Sequence, residues 1–159
     1  MGVKSNVNDF MREIEESINA ELEKLRFEIV RQLSIIGERC VNEARSLPSL
    51  SRDNPAAKYP HQPNYIDDSG NLRSSIGYVI IVDGEIQALS GFESIGGAKE
   101  GAESGKEYAR SLVANYPTGY ALIVVAGMNY AEYVAANGYD VLDSAELIAE
   151  KMCKEIKKV

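Results

Sequence analysis

A chain of 159 residues with 45% hydrophobic content has the size of one ordinary domain and enough apolar side chains for one real core. Its formal net charge is −7 and no segment is basic: residues 1–46 carry seven basic and nine acidic groups, 47–75 three and three, 76–118 three and six, and 119–159 four and six. That balance argues against a phosphate-backbone footprint and against attachment to an anionic membrane surface. Met1 is followed by polar residues with no apolar run of signal-peptide or membrane-span length, so the expectation is a chain made and kept in a reducing cytoplasm unless packaged into something.

Residues 8–46 carry apolar side chains at Val7, Met11, Ile14, Ile18, Leu22, Leu25, Ile29, Leu33, Ile36, Cys40, Ala44 and Leu47. Val7, Ile18, Ile29 and Cys40 are each eleven apart, a repeat that keeps one stripe along a nearly straight helix. Asn8 or Ser5 is placed to cap its start, and Pro48 to end it. Such a helix spans about 55 Å, longer than a small sheet can cover. Part of it is therefore expected to project, to bend near Gly37, or to pack against another subunit.

Residues 48–69 hold four of the five prolines and the only histidine, His61, and read as a loop, with Tyr59, His61 and Tyr65 as contact residues or as part of a solvated insertion. Asp68-Ser69-Gly70-Asn71 then supplies turn chemistry, and the period changes. Two β-rich runs, Ile76–Val82 and Glu85–Phe92, flank Asp83-Gly84, a strong hairpin signal. Residues 93–106, rich in Gly, Ser and charge, read as a second exposed loop leading into a short helix from about Glu107 to Asn115. Tyr120–Ala126 is apolar on both faces, which suits a central strand or one with a face reserved for a neighbour. A short helix follows Asn129, with Tyr130, Tyr133 and Val134 on one face and Gly138 as its stop; Tyr139–Leu142 is a candidate fourth strand. Asp143 and Glu146 have capping-box spacing at the head of a last helix carrying Leu147, Ile148, Met152 and Ile156. The expected fold class is α+β: a long N-terminal helix, a small mainly antiparallel sheet of three to four strands, a short helix and a C-terminal helix. One domain is expected over 1–159, divided into the long helix at 1–47, the loop at 48–69 and a sheet-and-helix body at 70–159.

Chemistry is sparse. A catalytic triad could run only through His61, in a stretch poor at rigid positioning. Cys40 and Cys153 lie in helical patterns without metal-ligand spacing and read as buried free thiols. The glycine-rich run 96–106 departs from a phosphate-binding loop at Glu100 and Glu107. Asp67 and Asp68 flank a turn, where aspartate serves local bonding. The expectation is no catalytic, cofactor-binding or metal site and no cofactor. Tyr116, Tyr120, Tyr130, Tyr133 and Tyr139 suit an interface, although a partly buried core accounts for some of them.

Two stretches carry a resemblance. Ser69-Gly-Asn-Leu-Arg-Ser-Ser-Ile76 resembles a Thr-Gly-x-Leu-x-x-Ser-Ile signature, and Gly127-Met-Asn-Tyr-Ala-Glu-Tyr-Val-Ala-Ala-Asn-Gly138 a Gly-x-x-x-Tyr-Ala-x-Tyr-Val-Glu-x-Gly signature, of small head-tail joining or tail-component proteins of long-tailed bacteriophages. Ser69 stands where Thr is usual and Ala135 or Ala136 where Glu is usual, and the Pro-Phe-rich segment before the last helix is missing. The resemblance implies a non-enzymatic virion protein of the neck or tail, present in the host cytoplasm during assembly. It further implies a homo-oligomeric ring, commonly sixfold, that meets neighbouring connector and tail proteins, while DNA passes through without specific binding and no membrane is involved. The acidic balance suits such a channel, since lysine-rich walls would hold phosphates. The competing expectations are a protein-interaction module unrelated to phage, assembling through its long amphipathic helix, and a small hydrolase or other enzyme.

Overall fold

Turn chemistry, a switch of period and a glycine-lined helix together build a three-layer body around one buried strand. The computed structural model describes residues 4–46, 67 and 69–156. Helix α1 runs Lys4–Ser46; α2 is Asn71–Ser74; the strands are β1 (Ile76–Val82), β2 (Glu85–Gly91) and β3 (Tyr120–Ala126); α3 is Lys99–Ser111, α4 Ala131–Ala136 and α5 Asp143–Ile156, with 3-10 turns at Ile95–Gly97 and Val113–Asn115. The α+β architecture is as the patterning indicates. The chain divides into two units, residues 1–32 and 33–159.

In the first unit α1 is a solvated helix laced with local pairs: Arg12 with Asp9 and Glu16, Lys24 with Glu21, and Arg31 with Glu28. Glu28 accepts hydrogen bonds from Arg31 and Gln32, which hold its carboxyl down to about 2 from an ordinary 4.5. That support is present above about pH 4.5 and is lost as the pH falls towards 2. Asn8 and Ser5, the two residues expected to cap this helix, both lie inside it, because the helix begins by Lys4.

In the second unit the sheet order is β2-β1-β3, all antiparallel. All seven residues of β1 are buried. Of the two placements expected for Tyr120–Ala126, the central one is corrected: the hairpin partner β1 sits there, and β3 is an edge strand with mostly half-buried side chains. Asp83 and Gly84 both adopt positive φ (51° and 81°), the backbone of a tight two-residue hairpin turn. The Asp83 carboxylate also accepts from the Gly119 N–H at 2.8 Å, tying the turn to the entry of β3. Alternation along β1 sends Val79 and Ile81 into a cluster with Phe92, Ala102, Ala109 and Val125. Tyr78 points the other way, onto α1 at Gly37, where an added Cβ would lie 2.7 Å from the ring.

The Tyr78 hydroxyl and the Ser90 hydroxyl both donate to Glu38 of α1, at 3.0 and 2.9 Å. Tyr78 is pushed above its ordinary 10, first by burial and then by the hydrogen bond and charge of Glu38. Because the folded value is the higher, stability is full below pH 10 and is lost as the pH climbs through the raised value. Tyr78→Phe should cost about 1 kcal/mol near neutrality. Urea midpoints from about pH 8 to 11 should fall less steeply in this variant than in the parent chain.

Four further expectations are corrected. Residues 99–106 are helix rather than exposed loop, with Gly101, Ala102 and Gly105 buried. Residues 139–142 form no strand, and the segment ends as a turn into α5. The head of α5 is held by Asp140, which accepts from the backbone N–H of Ser144 at 3.2 Å and from its hydroxyl, so the cap stands three residues before Asp143. Cys153 is exposed, whereas Cys40 is buried and its thiol donates to the Ala145 carbonyl at 3.4 Å. Burial pushes the Cys40 thiol up, away from the thiolate form.

Candidate functional site

The two motif segments meet. Gly70 takes φ 73°, which turns the chain so that the Asp67 carboxylate faces the free amides of the one-turn helix α2, accepting from Leu72 and Arg73 at 3.4 and 3.2 Å. The Asn71 side chain accepts from Gly101 at the start of α3. Ser74 and Ser75 are fully buried yet satisfied: the Ser74 hydroxyl accepts from the Ile95 N–H at 2.8 Å, and the Ser75 hydroxyl donates to the Leu72 carbonyl at 2.7 Å. Arg45, near the end of α1, donates to the carbonyls of Ile76 (2.9 Å) and Arg73 (3.3 Å) and pairs with Glu93. Burial draws its pKa down, with the charges of Glu93 and Glu38 opposing.

On the far side the second motif closes the arrangement. The Gly127 N–H donates to the Ser75 carbonyl at 3.1 Å, and a Cβ on Gly127 would stand 2.4 Å from the Gly105 backbone. Leu72 of the first motif and Ala131 of the second form one buried cluster with Val141, flanked by Met128, Val134 and Tyr139. Tyr130 is raised by burial and then by the charge of Asp67, while a hydrogen bond with Ser69 pulls it down. Asp67 thus does capping work, and Asp68 lies outside the described residues.

A groove of about 290 Å³ opens beside β3, floored by Leu112, Val124, Val141 and Leu142, with Tyr108 on its wall and the carboxylates of Glu132 and Asp143 lining it. Among the described residues no group of three or more His, Cys, Asp and Glu is placed to hold a metal ion. His61, Tyr59 and Tyr65 lie outside the described residues. Of the five clustered tyrosines, Tyr116, Tyr120, Tyr130 and Tyr133 are exposed and Tyr139 is half-buried. No described helix is long and apolar enough to cross a membrane.

A row of exposed apolar side chains lies on the first unit. Val7, Met11, Ile18, Leu22 and Leu25 are 49–57% exposed, with Ile14 and Ile29 half-buried beside them. In chain order this is the stripe that the eleven-residue repeat marks out. Sequence reasoning missed the role of Gly101, Gly105 and Gly127; the four-residue spacing of the first two, with Ala102 and Ala109 nearby, was the available signal of a close-packed helix face. No family model matches this chain, and neither does a curated protein or a solved structure.

Proposed function

We propose that this chain is a structural component of a phage neck or tail, joining head to tail as a subunit of a ring, with assembly rather than catalysis as its work. The observation that carries the reading is the meeting of its two motif segments. Ser69–Ile76 and Gly127–Gly138, more than fifty residues apart in sequence, share the Leu72–Ala131 cluster and the Gly127–Ser75 hydrogen bond. Residues that serve one another in a single core are what a family signature in two pieces requires. Exposed tyrosines and the apolar stripe add adhesive surface, and Tyr120 stands on a sheet edge, where a neighbour can add backbone hydrogen bonds.

Native mass spectrometry of the purified chain over a concentration series, followed by negative-stain imaging, tests the reading. Closed rings of fixed copy number are expected, from the chain alone or, where the free chain stops at a smaller species, on mixing with a portal-side connector ring. A chain that forms no ring in either setting overturns the assignment. The exposed stripe favours a second reading, an interaction module that assembles through α1 outside any virion. The connector-mixing arm separates the two, because only a neck protein should be captured by the connector.

A further inference from the structure

The stripe on the first unit is a mirror of itself. Taken from Ile18, Ile14 and Leu22 lie four residues away, Met11 and Leu25 seven, and Val7 and Ile29 eleven. At 100° per residue all seven side chains fall within about 40° of one line along the helix. We propose that the free chain is a two-fold dimer in which residues 4–32 of two copies pair antiparallel about Ile18.

In that register Val7 faces the partner's Ile29, Met11 the partner's Leu25 and Ile14 the partner's Leu22, while the two Ile18 side chains meet on the axis. The paired stripe, Val7 to Ile29 on each chain, lies wholly within the first unit. A parallel in-register pair would bring the two second units together at one end and align the helix dipoles, whereas the antiparallel pair opposes them. At about 100 Å² of exposed surface for each of Val7, Phe10, Met11, Ile18, Leu22 and Leu25, this face offers roughly 600 Å² per copy, at the lower end of the size class of specific protein interfaces. The eleven-residue period keeps the line straight, so contact persists over the whole overlap.

Charge sets a signature for the pair. Glu15 of both copies falls on one flank and Glu21 of both on the other, each pair about 9 Å apart along the axis, while Arg26 reaches towards the partner's Glu15. Salt screens both the glutamate repulsions and the Arg26–Glu15 attractions, so the apolar seam should hold the pair from low to physiological ionic strength. This inference goes beyond the neck reading and is independent of it. A cyclic ring closes by head-to-tail contacts, whereas this contact is isologous.

The test uses the full chain with Cys153→Ser, which removes the exposed thiol. Mixed Val7→Cys and Ile29→Cys chains should cross-link to one another on mild oxidation, while Val7→Cys alone should not, because its two thiols stand about 33 Å apart. Ile18→Cys should cross-link with itself. Ile18→Glu should weaken dimerisation at least 100-fold by sedimentation while leaving the thermal unfolding of the second unit in place. Cross-linking of Val7→Cys with itself, or failure of the mixed pair to cross-link, overturns the proposal. So does a parent chain that sediments as a monomer at about 100 µM, whether residues 47–66 of the same chain then cover the stripe or nothing does.

Discussion

Gly101→Ala should destabilise the second unit by about 2–4 kcal/mol, although alanine is the better helix former by about 1 kcal/mol. Gly101 lies in the first turns of α3, where an added Cβ would stand 2.1 Å from the carbonyl oxygen of Asn71 and 2.7 Å from its Cα. Those atoms are backbone, so no rotamer change relieves the clash. Either α3 withdraws or α2 shifts, and withdrawal also breaks the hydrogen bond from the Gly101 N–H to the Asn71 side chain at 3.2 Å. Gly105→Ala should behave alike, since its Cβ would meet the Ser75 carbonyl oxygen at 2.4 Å and the Phe92 ring at 2.5 Å. Glu103→Ala on the exposed side of the same helix is the control and should change stability by less than about 0.5 kcal/mol. Urea unfolding checks all three. Equal midpoints for Gly101→Ala and the control would show that α3 does not pack against α2 as closely as the structure has it.

These glycines also explain why one part of the fold was illegible in the sequence. A run such as Ile95-Gly-Gly-Ala-Lys-Glu-Gly-Ala-Glu-Ser-Gly105 has poor helix propensity and several solvated charges, and both features indicate loop. Tertiary packing overrides that propensity. Backbone-to-backbone approach needs a helix face with no Cβ, and the benefit of that approach is not local to the segment. The place of the central strand is open in the sequence for a related reason. Both Ile76–Val82 and Tyr120–Ala126 are apolar on both faces, and composition alone does not rank them. The hairpin decides the matter, because β1 is joined to β2 on one side and leaves its other edge for β3.

What was legible follows from signals that are local. The stripe on α1, the Asp83-Gly84 turn and the stop at Gly138 depend on neighbours a few residues away, and each stands where the pattern puts it. The candidate site was legible only as two separate signatures. Nothing in the spacing of Leu72 and Ala131 indicates that they touch, since the loop-like run between them hides α3, the element on which both segments rest. The cap at Asp140 was missed because Asp143 offers the same chemistry three residues later, and the choice between them lies in the path of the chain leaving Gly138.

Leu72→Ala should cost about 2–5 kcal/mol, and its coupling to the second motif should exceed that of any solvent-facing pair. Leu72 is 1% exposed and is the large side chain of a small cluster whose other buried members are Ala131 and Val141. It sits on a four-residue helix whose first amides are held by Asp67, so α2 cannot tilt inward to fill the space without losing those bonds. Most of the cavity should therefore persist, which places the cost towards the upper part of the range. Val141→Ala removes the facing wall and should cost about 1–3 kcal/mol alone. In a double-mutant cycle the pair should be non-additive by at least about 0.5 kcal/mol, whereas Leu72→Ala with Glu103→Ala should add within about 0.3–0.5 kcal/mol. Chemical denaturation of the four variants supplies the numbers. An additive Leu72–Val141 pair would mean that the first motif and the segment after the second do not share a core, and the support that their meeting lends to the neck assignment would go with it.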